Sequence, residues 1–173
     1  LEVLGDAAEQ LAANDALHFV LCGNGPGRAP LEKQVAGLAN VHMLDLQPRS
    51  RLNELLNSAD IHLLPQRDSV DQLVLPSKLT GMLASGRPVV AACGAGTELA
   101  GIVERCGSVV PAGDADAFAA AVTELANDRD RRLELGRLAR QIAEHEISYQ
   151  QIMQTFCEQA RALIEHRDQG SGS

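Results

Sequence analysis

Short, continuous apolar runs alternate along this chain with segments whose apolar residues recur at helical spacing. Five runs have the length of a buried strand, and they cover residues 17–22, 41–44, 61–64, 89–93 and 108–110. Parallel strands need long crossover connections and are buried on both faces, so their sequences are continuously apolar. The pattern therefore predicts an α/β fold, a doubly wound parallel sheet with helices on both faces.

The segments between these runs carry the helical stripes and their boundary signals. Helices are predicted at 1–12, 30–38, 52–59, 76–85, 98–103, 114–126, 130–143 and 148–164. The segment 66–75 has no period, and we expect an exposed loop there. Strands and helices alternate without an internal repeat, so the predicted architecture is Rossmann-like.

The length of the chain bounds the number of domains. Its 173 residues suffice for one core and fall short of two ordinary domains. We expect a single domain over 1–167 and a flexible tail over 168–173, which resembles an added linker. Because the chain opens without Met and already in a helical rhythm, we expect it to be an excised domain.

The charge and the apolar pattern narrow the class of partner. The net charge of -8 opposes binding to nucleic acid, and three Phe, one Tyr and no Trp leave few rings for stacking on bases. No apolar run approaches the roughly 20 residues that a membrane helix needs. We expect a cytoplasmic protein, with membrane contact only through a longer parent at the inner face.

The cysteines and histidines do not form a metal-ligand pattern. The cysteines are scattered without a CxxC pair, and three histidines stand singly on predicted strands; these residues are Cys22, Cys93, Cys106, Cys157, His18, His42 and His62. We interpret the cysteines as reduced packing residues and the histidines as structural ones. No metal and no cofactor is expected.

Ligands of open parallel sheets bind outside the carboxyl ends of the strands, where loops and helix N-termini meet. Three places qualify: the glycine-rich stretch 23–27, the segment 66–77 and the turn 94–97. In the first, Gly23, Asn24 and Gly25 could approach a phosphate. However, Pro26 removes an N–H and the spacing does not complete GxGxxG, so a simple turn is equally consistent.

The strongest local signal is Pro76-Ser77-Lys78. A helix start here offers unpaired backbone N–H groups, the positive end of the helix dipole, a hydroxyl and an ammonium within one turn. This combination suits a diphosphate. An ordinary helix start with an exposed lysine is the alternative that these three residues leave open.

Several stretches together resemble a known family. They read HFVLCGNGP at 18–26, NVHMLD at 40–45, LNELLNSADIHLLP at 52–65 and LPSKLTGMLASGRPVVA at 75–91, with a late strand and helix opening at 107–118. In this order they look like the C-terminal half of glycosyltransferase family 4, within the GT-B fold. The PSKL form is most similar to bacterial transferases of capsular or exopolysaccharide synthesis.

The resemblance implies a site for a nucleotide-diphosphate sugar and transfer of its sugar to a glycan or lipid-linked acceptor, with retention of configuration. By matched position, Pro76, Ser77 and Lys78 would contact the diphosphate. The base and ribose pocket would use Met43, Leu44, Asp45 and Gly81, and loop contacts would come from Gly23, Asn24, Gly25, Arg67, Asp68 and Asp71. No catalytic residue is identified.

Two departures from the family pattern stand out. The two glutamates that many members carry fall on Leu73 and Gly81, and neither residue is acidic. In addition, the family's basic pair and first strand would lie before Leu1, as would the acceptor-binding half. We therefore expect an unpaired sheet edge, weak nucleotide binding and no transfer by this chain alone, and dimer formation through the predicted last helix.

Three other functions remain open on the sequence. A sugar-nucleotide epimerase of the same architecture would use a similar diphosphate site, although Asp68 and Asp71 have no histidine nearby. A flavodoxin-like or response-regulator-like binding module lacks its acidic pair after the first strand. A non-catalytic domain derived from GT-B would explain the absent glutamates.

Overall fold

The computed structural model describes residues 1–66 and 75–147, which include five strands. The strands are β1 (Phe19–Cys22), β2 (Val41–Leu44), β3 (His62–Pro65), β4 (Val89–Ala92) and β5 (Gly107–Val110). All pairs are parallel, but they form two sheets, β1-β2 and β3-β4-β5, where the sequence predicted one. Among the described residues, β1 and β3 each have one strand partner, so no ladder joins the sheets.

Seven α-helices connect and follow the strands within the described ranges. They are α1 (Glu2–Gln10), α2 (Arg28–Gln34), α3 (Leu52–Ser58), α4 (Ser77–Ala84), α5 (Glu98–Val103), α6 (Ala115–Asn127) and α7 (Arg129–His145). A 3₁₀ turn at Arg49–Arg51 leads into α3. The helix predicted at 148–164, most of the predicted loop 66–75, and Cys157 lie outside the described residues.

Helix α2 begins earlier than predicted. Its first residue is Arg28, and Pro30 is its third. The first-turn N–H groups of a helix have no intrahelical acceptor, so the missing N–H of proline costs no hydrogen bond there. Pro30 therefore indicated the first turn of α2 correctly but is not its first residue.

The three-stranded sheet lies at the centre of the main core. All four residues of β4 are fully buried, and they alternate between two apolar clusters. Val89 and Ala91 pack with side chains of α4, α5 and α7, whereas Val90 and Ala92 pack with α1 and α6. Helices therefore cover both faces of this sheet, which confirms the predicted layering. We call β3–β5 with α4–α7 the three-stranded side.

The two-stranded side, comprising β1, β2, α2 and α3, is less covered. Strand β2 alternates between half-buried and exposed residues, Val20 of β1 is 49% exposed, and α3 has no buried residue. Helix α1 joins the two sides. Its Val3 and Leu4 lie in the second cluster, and its Ala8 carbonyl accepts a 2.9 Å hydrogen bond from Nδ2 of buried Asn40, the residue before β2.

Candidate functional site

The first turn of α4 begins without a side-chain cap. Pro76 precedes it in an extended conformation, with φ -60° and ψ 128°. Ser77 and Lys78 are exposed, and the Leu79 amide donates to the Pro76 carbonyl at 2.9 Å. No side chain within the described ranges accepts a hydrogen bond from the Ser77 or Lys78 amide.

Three other helices of the same side have a cap of their own. Thr97 Oγ1 accepts from the Ala100 amide of α5 at 3.2 Å, and Asp114 and Asp128 accept from first-turn amides of α6 and α7 at 2.9 Å each. Such a cap satisfies a donor that a ligand would otherwise use. The α4 start, which follows β3, therefore differs from these three in its capacity to bind an anion.

The turn after β4 is largely satisfied internally. Thr97 caps α5, as the sequence suggested it could, and its hydroxyl also donates to the Gly94 carbonyl at 2.9 Å. An open cavity of about 910 Å³ begins at Gly94 and Ala95 and extends along β5 and α6. Its lining includes none of the other predicted site residues, so it lies apart from the α4 start.

The predicted base pocket lies at the carboxyl end of β2, beside the loop that follows β1. Met43 is half-buried and Leu44 is exposed. The Leu44 carbonyl accepts from the Gly23 amide at 3.2 Å, and the Asp45 carbonyl accepts from the Cys22 thiol at 3.2 Å. The structure therefore brings together two segments that the sequence analysis proposed separately.

A guanidinium that the sequence analysis missed joins these segments. Arg28 Nη1 lies 2.8 Å from the Gly23 carbonyl and from Asn24 Oδ1, and 3.0 Å from the Leu44 carbonyl and from Asp45 Oδ1. Its Nε donates to Glu32 Oε1 at 2.6 Å. That hydrogen bond, together with the charges of Glu32 and Asp45, raises the pKa of Arg28.

Sequence signals for this arginine were present. Arg28 is the first residue of α2, directly after the glycine-rich stretch, and an acidic residue follows one helical turn later. The same stretch contains Gly23, whose φ of +147° favours glycine. The sequence could not show which residues lie beside Arg28, because it is the pairing of β1 with β2 that brings Leu44 and Asp45 to this arginine.

The Gly81 position, which the sequence alignment assigns to the ribose, faces another helix. A Cβ added at Gly81 would lie 3.3 Å from Leu56 Cδ1 of α3. The other candidate loop contacts, Arg67, Asp68 and Asp71, lie outside the described residues. So does Leu73, the other position where the family carries a glutamate.

The three histidines on or beside the strands have hydrogen-bonding partners outside the predicted site residues. His62 Nε2 lies 2.8 Å from Ser85 Oγ, and burial together with the charge of Arg87 lowers the pKa of His62 to about 4. His18 and His42 stand singly in the sequence but are neighbours in the structure. His42 Nε2 lies 3.1 Å from His18 Nδ1, because β1 and β2 are paired.

The described cysteines are free thiols. Cys93 and Cys106 are buried, and burial raises the pKa of both, that of Cys106 to about 11. Such thiols are poor nucleophiles, consistent with a packing role. Within residues 1–66 and 75–147, no three His, Cys, Asp or Glu side chains are grouped so that they could hold a metal ion.

Comparison with known proteins identifies the family. The family model for group 1 glycosyl transferases matches residues 1–128, and the chain belongs to this family. Over 106 residues it is 41% identical to WcaI of Escherichia coli K12, which is named as a colanic acid biosynthesis glycosyl transferase. That match covers 60% of this chain and 26% of WcaI, so the chain spans about a quarter of its relative.

Solved structures show the same fold at low identity. Sucrose-phosphate synthase from Thermosynechococcus elongatus has a TM-score of 0.75 at 19% identity, over 94% of this chain and 42% of that one. Anabaena HepE in complex with UDP-glucose has a TM-score of 0.71 at 19% identity, over 93% and 44%. The Rossmann-like fold is thus confirmed. None of the helices in the described part is long and apolar enough to span a bilayer.

Proposed function

We propose that this domain holds the nucleotide-diphosphate sugar of a glycosyltransferase, with the first turn of α4 on the diphosphate. The observation that carries the proposal is that this turn combines uncapped amides with a hydroxyl and an ammonium: α5, α6 and α7 have a side-chain cap, and α1, α2 and α3, which within the described residues have none, carry no such pair in their first turn. Its Ser77 and Lys78 are exposed beside the amides. In a chain with a net charge of -8, such a local positive site is what an anionic donor requires.

The chemistry of transfer explains why these groups suit the task. When an acceptor hydroxyl attacks the anomeric carbon, the bond to the diphosphate breaks and negative charge develops on its oxygen. Amides fixed at a helix start, together with the Lys78 ammonium, stabilise that charge without reorganising and without a metal ion. We expect the anomeric configuration to be retained, as in the family that the sequence resembles.

The rest of the donor would occupy the β1–β2 corner. Backbone groups from Met43 to Asp45 would meet the base, and the loop at Gly23 would approach the ribose. The complex of HepE with UDP-glucose supports a uridine diphosphate sugar as the first donor to test. The name of WcaI supports a bacterial polysaccharide as the class of product.

The acceptor would be bound elsewhere. We propose that an acceptor-binding half of the parent protein closes over this domain and presents a glycan or lipid-linked hydroxyl. This closure would exclude water and its hydrolysis reaction. Without that half, we expect the chain to bind a nucleotide and to transfer no sugar.

The test is isothermal titration with UDP, GDP, ADP and inorganic pyrophosphate. Lys78→Ala should weaken pyrophosphate and the best nucleotide by about tenfold, typical of losing one charge-assisted hydrogen bond. Lys33→Ala is the matched control, since Lys33 is the other lysine of the chain and is exposed at the end of α2. It should leave both affinities unchanged.

Two results would contradict the proposal. One is that none of the four ligands binds to the wild-type chain at millimolar concentration. The other is that Lys78→Ala binds them as tightly as wild type, or that Lys33→Ala weakens them as much as Lys78→Ala does. Loss of UDP-glucose transfer in the full-length parent on Lys78→Ala would extend the result from binding to catalysis.

A second candidate function is a non-catalytic role on the same fold. The observation in its favour is Gly81, which stands where many family members carry a ribose-binding glutamate and which faces Leu56 of α3. An interaction domain derived from GT-B would have no need of that carboxylate. A sugar-nucleotide epimerase would also bind UDP, but it would interconvert sugar epimers in the absence of an acceptor.

A further inference from the structure

The β1–β2 corner depends on a single guanidinium. One nitrogen of Arg28, Nη1, contacts two acceptors in the loop after β1 and two at the end of β2, all within 3.0 Å. The arginine side chain is 23% exposed, so it lies in the corner and not out in solvent. The β1–β2 ladder ends at the pair Cys22 and Leu44, and beyond it the other hydrogen bonds between the two segments among the described residues are the Gly23 amide to the Leu44 carbonyl and the Cys22 thiol to the Asp45 carbonyl.

Packing does little to hold this corner. Leu44 is 38% exposed and Leu46 is 69% exposed, whereas β4 and β5 of the three-stranded side end on buried Ala92 and Val110. Where apolar burial is small, position is determined by the hydrogen bonds that remain. Beyond the β1–β2 ladder, the two Nη1 hydrogens of Arg28 are shared among acceptors on both segments, so its removal would loosen the loop after β1 and the end of β2 together.

We propose that Arg28 is a positioning residue for the nucleoside end of the donor site. The inference rests on the proposed function, because the two segments that it ties are those proposed to meet the base and ribose. Arg28 acts through Gly23, Leu44 and Asp45 and does not contact the diphosphate. The planar guanidinium suits this role because Nε is held by Glu32 Oε1 at 2.6 Å, which fixes the direction of Nη1 toward the corner, whereas a lysine ammonium has no second nitrogen to fix its position.

The charge of Arg28 has a second consequence. Its partner Asp45 has an 82% exposed side chain at the corner where an anionic ligand would be bound. In the wild-type chain, the guanidinium 3.0 Å away compensates that carboxylate. Without Arg28, Asp45 would repel the donor, so two variants are needed to separate loss of geometry from loss of charge.

The experiment compares Arg28→Ala and Arg28→Lys in titrations with UDP, GDP, ADP and pyrophosphate. Arg28→Ala should weaken the best nucleotide by about tenfold and pyrophosphate by less than about twofold. Arg28→Lys keeps the charge but loses the second nitrogen that Glu32 holds, and it should recover less than half of the nucleotide affinity on a logarithmic scale. Arg51→Ala is the control, since Arg51 is an exposed arginine whose partner is Glu54 of α3.

A second measurement needs no ligand. Hydrogen exchange of the Gly23 amide, which donates to the Leu44 carbonyl at 3.2 Å, should become at least tenfold faster in Arg28→Ala. The Cys93 amide, which donates to the Val110 carbonyl at 3.0 Å on the three-stranded side, should not change. Hydrogen exchange therefore tests the positioning role of Arg28 even if the chain binds no ligand.

The outcomes separate the two proposals. If the wild-type chain binds no nucleotide and no pyrophosphate, the proposed function fails, and exchange at Gly23 alone decides whether Arg28 positions the corner. If nucleotide and pyrophosphate weaken equally, or if Arg28→Lys restores full affinity, the effect is one of charge and the inference is overturned. Unchanged exchange at Gly23 also overturns it.

Discussion

The two sides of this domain are built from the same kind of sequence and end up differently packed. On the three-stranded side, β4 is completely buried and helices cover both of its faces. On the two-stranded side, α3 has no buried residue and β1 and β2 expose Val20 and Leu44. Apolar periodicity therefore predicts an element, but its burial depends on how many neighbouring elements reach it.

This difference suggests a division of labour. The three-stranded side supplies the stability of the domain, and its α4 presents the proposed diphosphate site on a rigid base. The two-stranded side buries fewer apolar side chains, among them Phe19 and Leu31, has polar contacts at Arg28 and Asn40, and carries the proposed nucleoside end. Substitutions matched between the two sides test this contrast.

A pair of leucine truncations should show the largest difference. Leu83 of α4 is fully buried in the first cluster, whereas Leu52 of α3 is 45% exposed. Leu83→Ala removes buried methylenes and leaves a cavity, so it should lower the free energy of unfolding by about 2–5 kcal/mol. Leu52→Ala should change it by less than about 0.5 kcal/mol.

Urea unfolding followed by circular dichroism measures both variants. If Leu52→Ala destabilises the chain as much as Leu83→Ala, then α3 is as well packed as α4 and the contrast between the two sides is wrong. A loss of stability confined to Leu83→Ala would support the contrast between the two sides.

The next largest loss of stability is expected from substituting one of two glycines of the three-stranded side. A Cβ at Gly107, the first residue of β5, would overlap the Val89 carbonyl of β4. Gly107→Ala therefore requires a backbone shift between the two strands and should cost about 2–3 kcal/mol. Gly101 of α5 is the matched control, because a Cβ there meets nothing within 4 Å.

Gly101→Ala should be neutral or raise the free energy of unfolding by roughly 0.5–1 kcal/mol, since alanine is the better helix former. The midpoint of thermal unfolding distinguishes the two substitutions. Equal midpoints would mean that β4 and β5 can separate without cost, contrary to the buried ladder described above.

The sequence predicted the local elements well, because continuous apolar runs and helix signals depend on nearby residues. The strand at 41–44 and the helix at 98–103 were predicted with the bounds that the structure has. Asp114, expected within its helix, is instead the residue that caps it. Errors of this size arise because a cap and a first-turn residue share the same polar character.

The division into two sheets and the role of Arg28 could not be predicted in this way. Which strands pair is a non-local property, and continuous apolar runs do not say whether β1 and β3 have a common neighbour. Arg28 was missed because two of its acceptors, Leu44 and Asp45, lie 16 and 17 positions further along the chain. The α4 start could be proposed as a site because its amides, hydroxyl and ammonium are consecutive in sequence.

The smallest of the three effects is a dependence on pH that should arise on the three-stranded side alone. His62 is 7% exposed. Because Ser85 Oγ donates its hydrogen to the Met82 carbonyl, it accepts the hydrogen bond from His62, whose neutral ring carries its proton on Nε2. The pKa of His62 is about 4 in the folded chain, against 6.5 for an ordinary histidine. Between these values the unfolded chain binds a proton that the folded chain does not.

The stability associated with neutral His62 should therefore be complete above pH 6.5, fall as the pH is lowered, and level off below about pH 4. By pH 5 the loss should be about 1–2 kcal/mol, once partial solvent screening is allowed for. His62→Gln should remove this acid-dependent loss, and urea midpoints at pH 7 and pH 5 measure it. His42→Gln, at the exposed histidine pair of the two-stranded side, controls for the loss of one imidazole. If wild type and His62→Gln lose equal stability between the two pH values, the acid sensitivity comes from other groups, and the buried histidine does not distinguish the two sides.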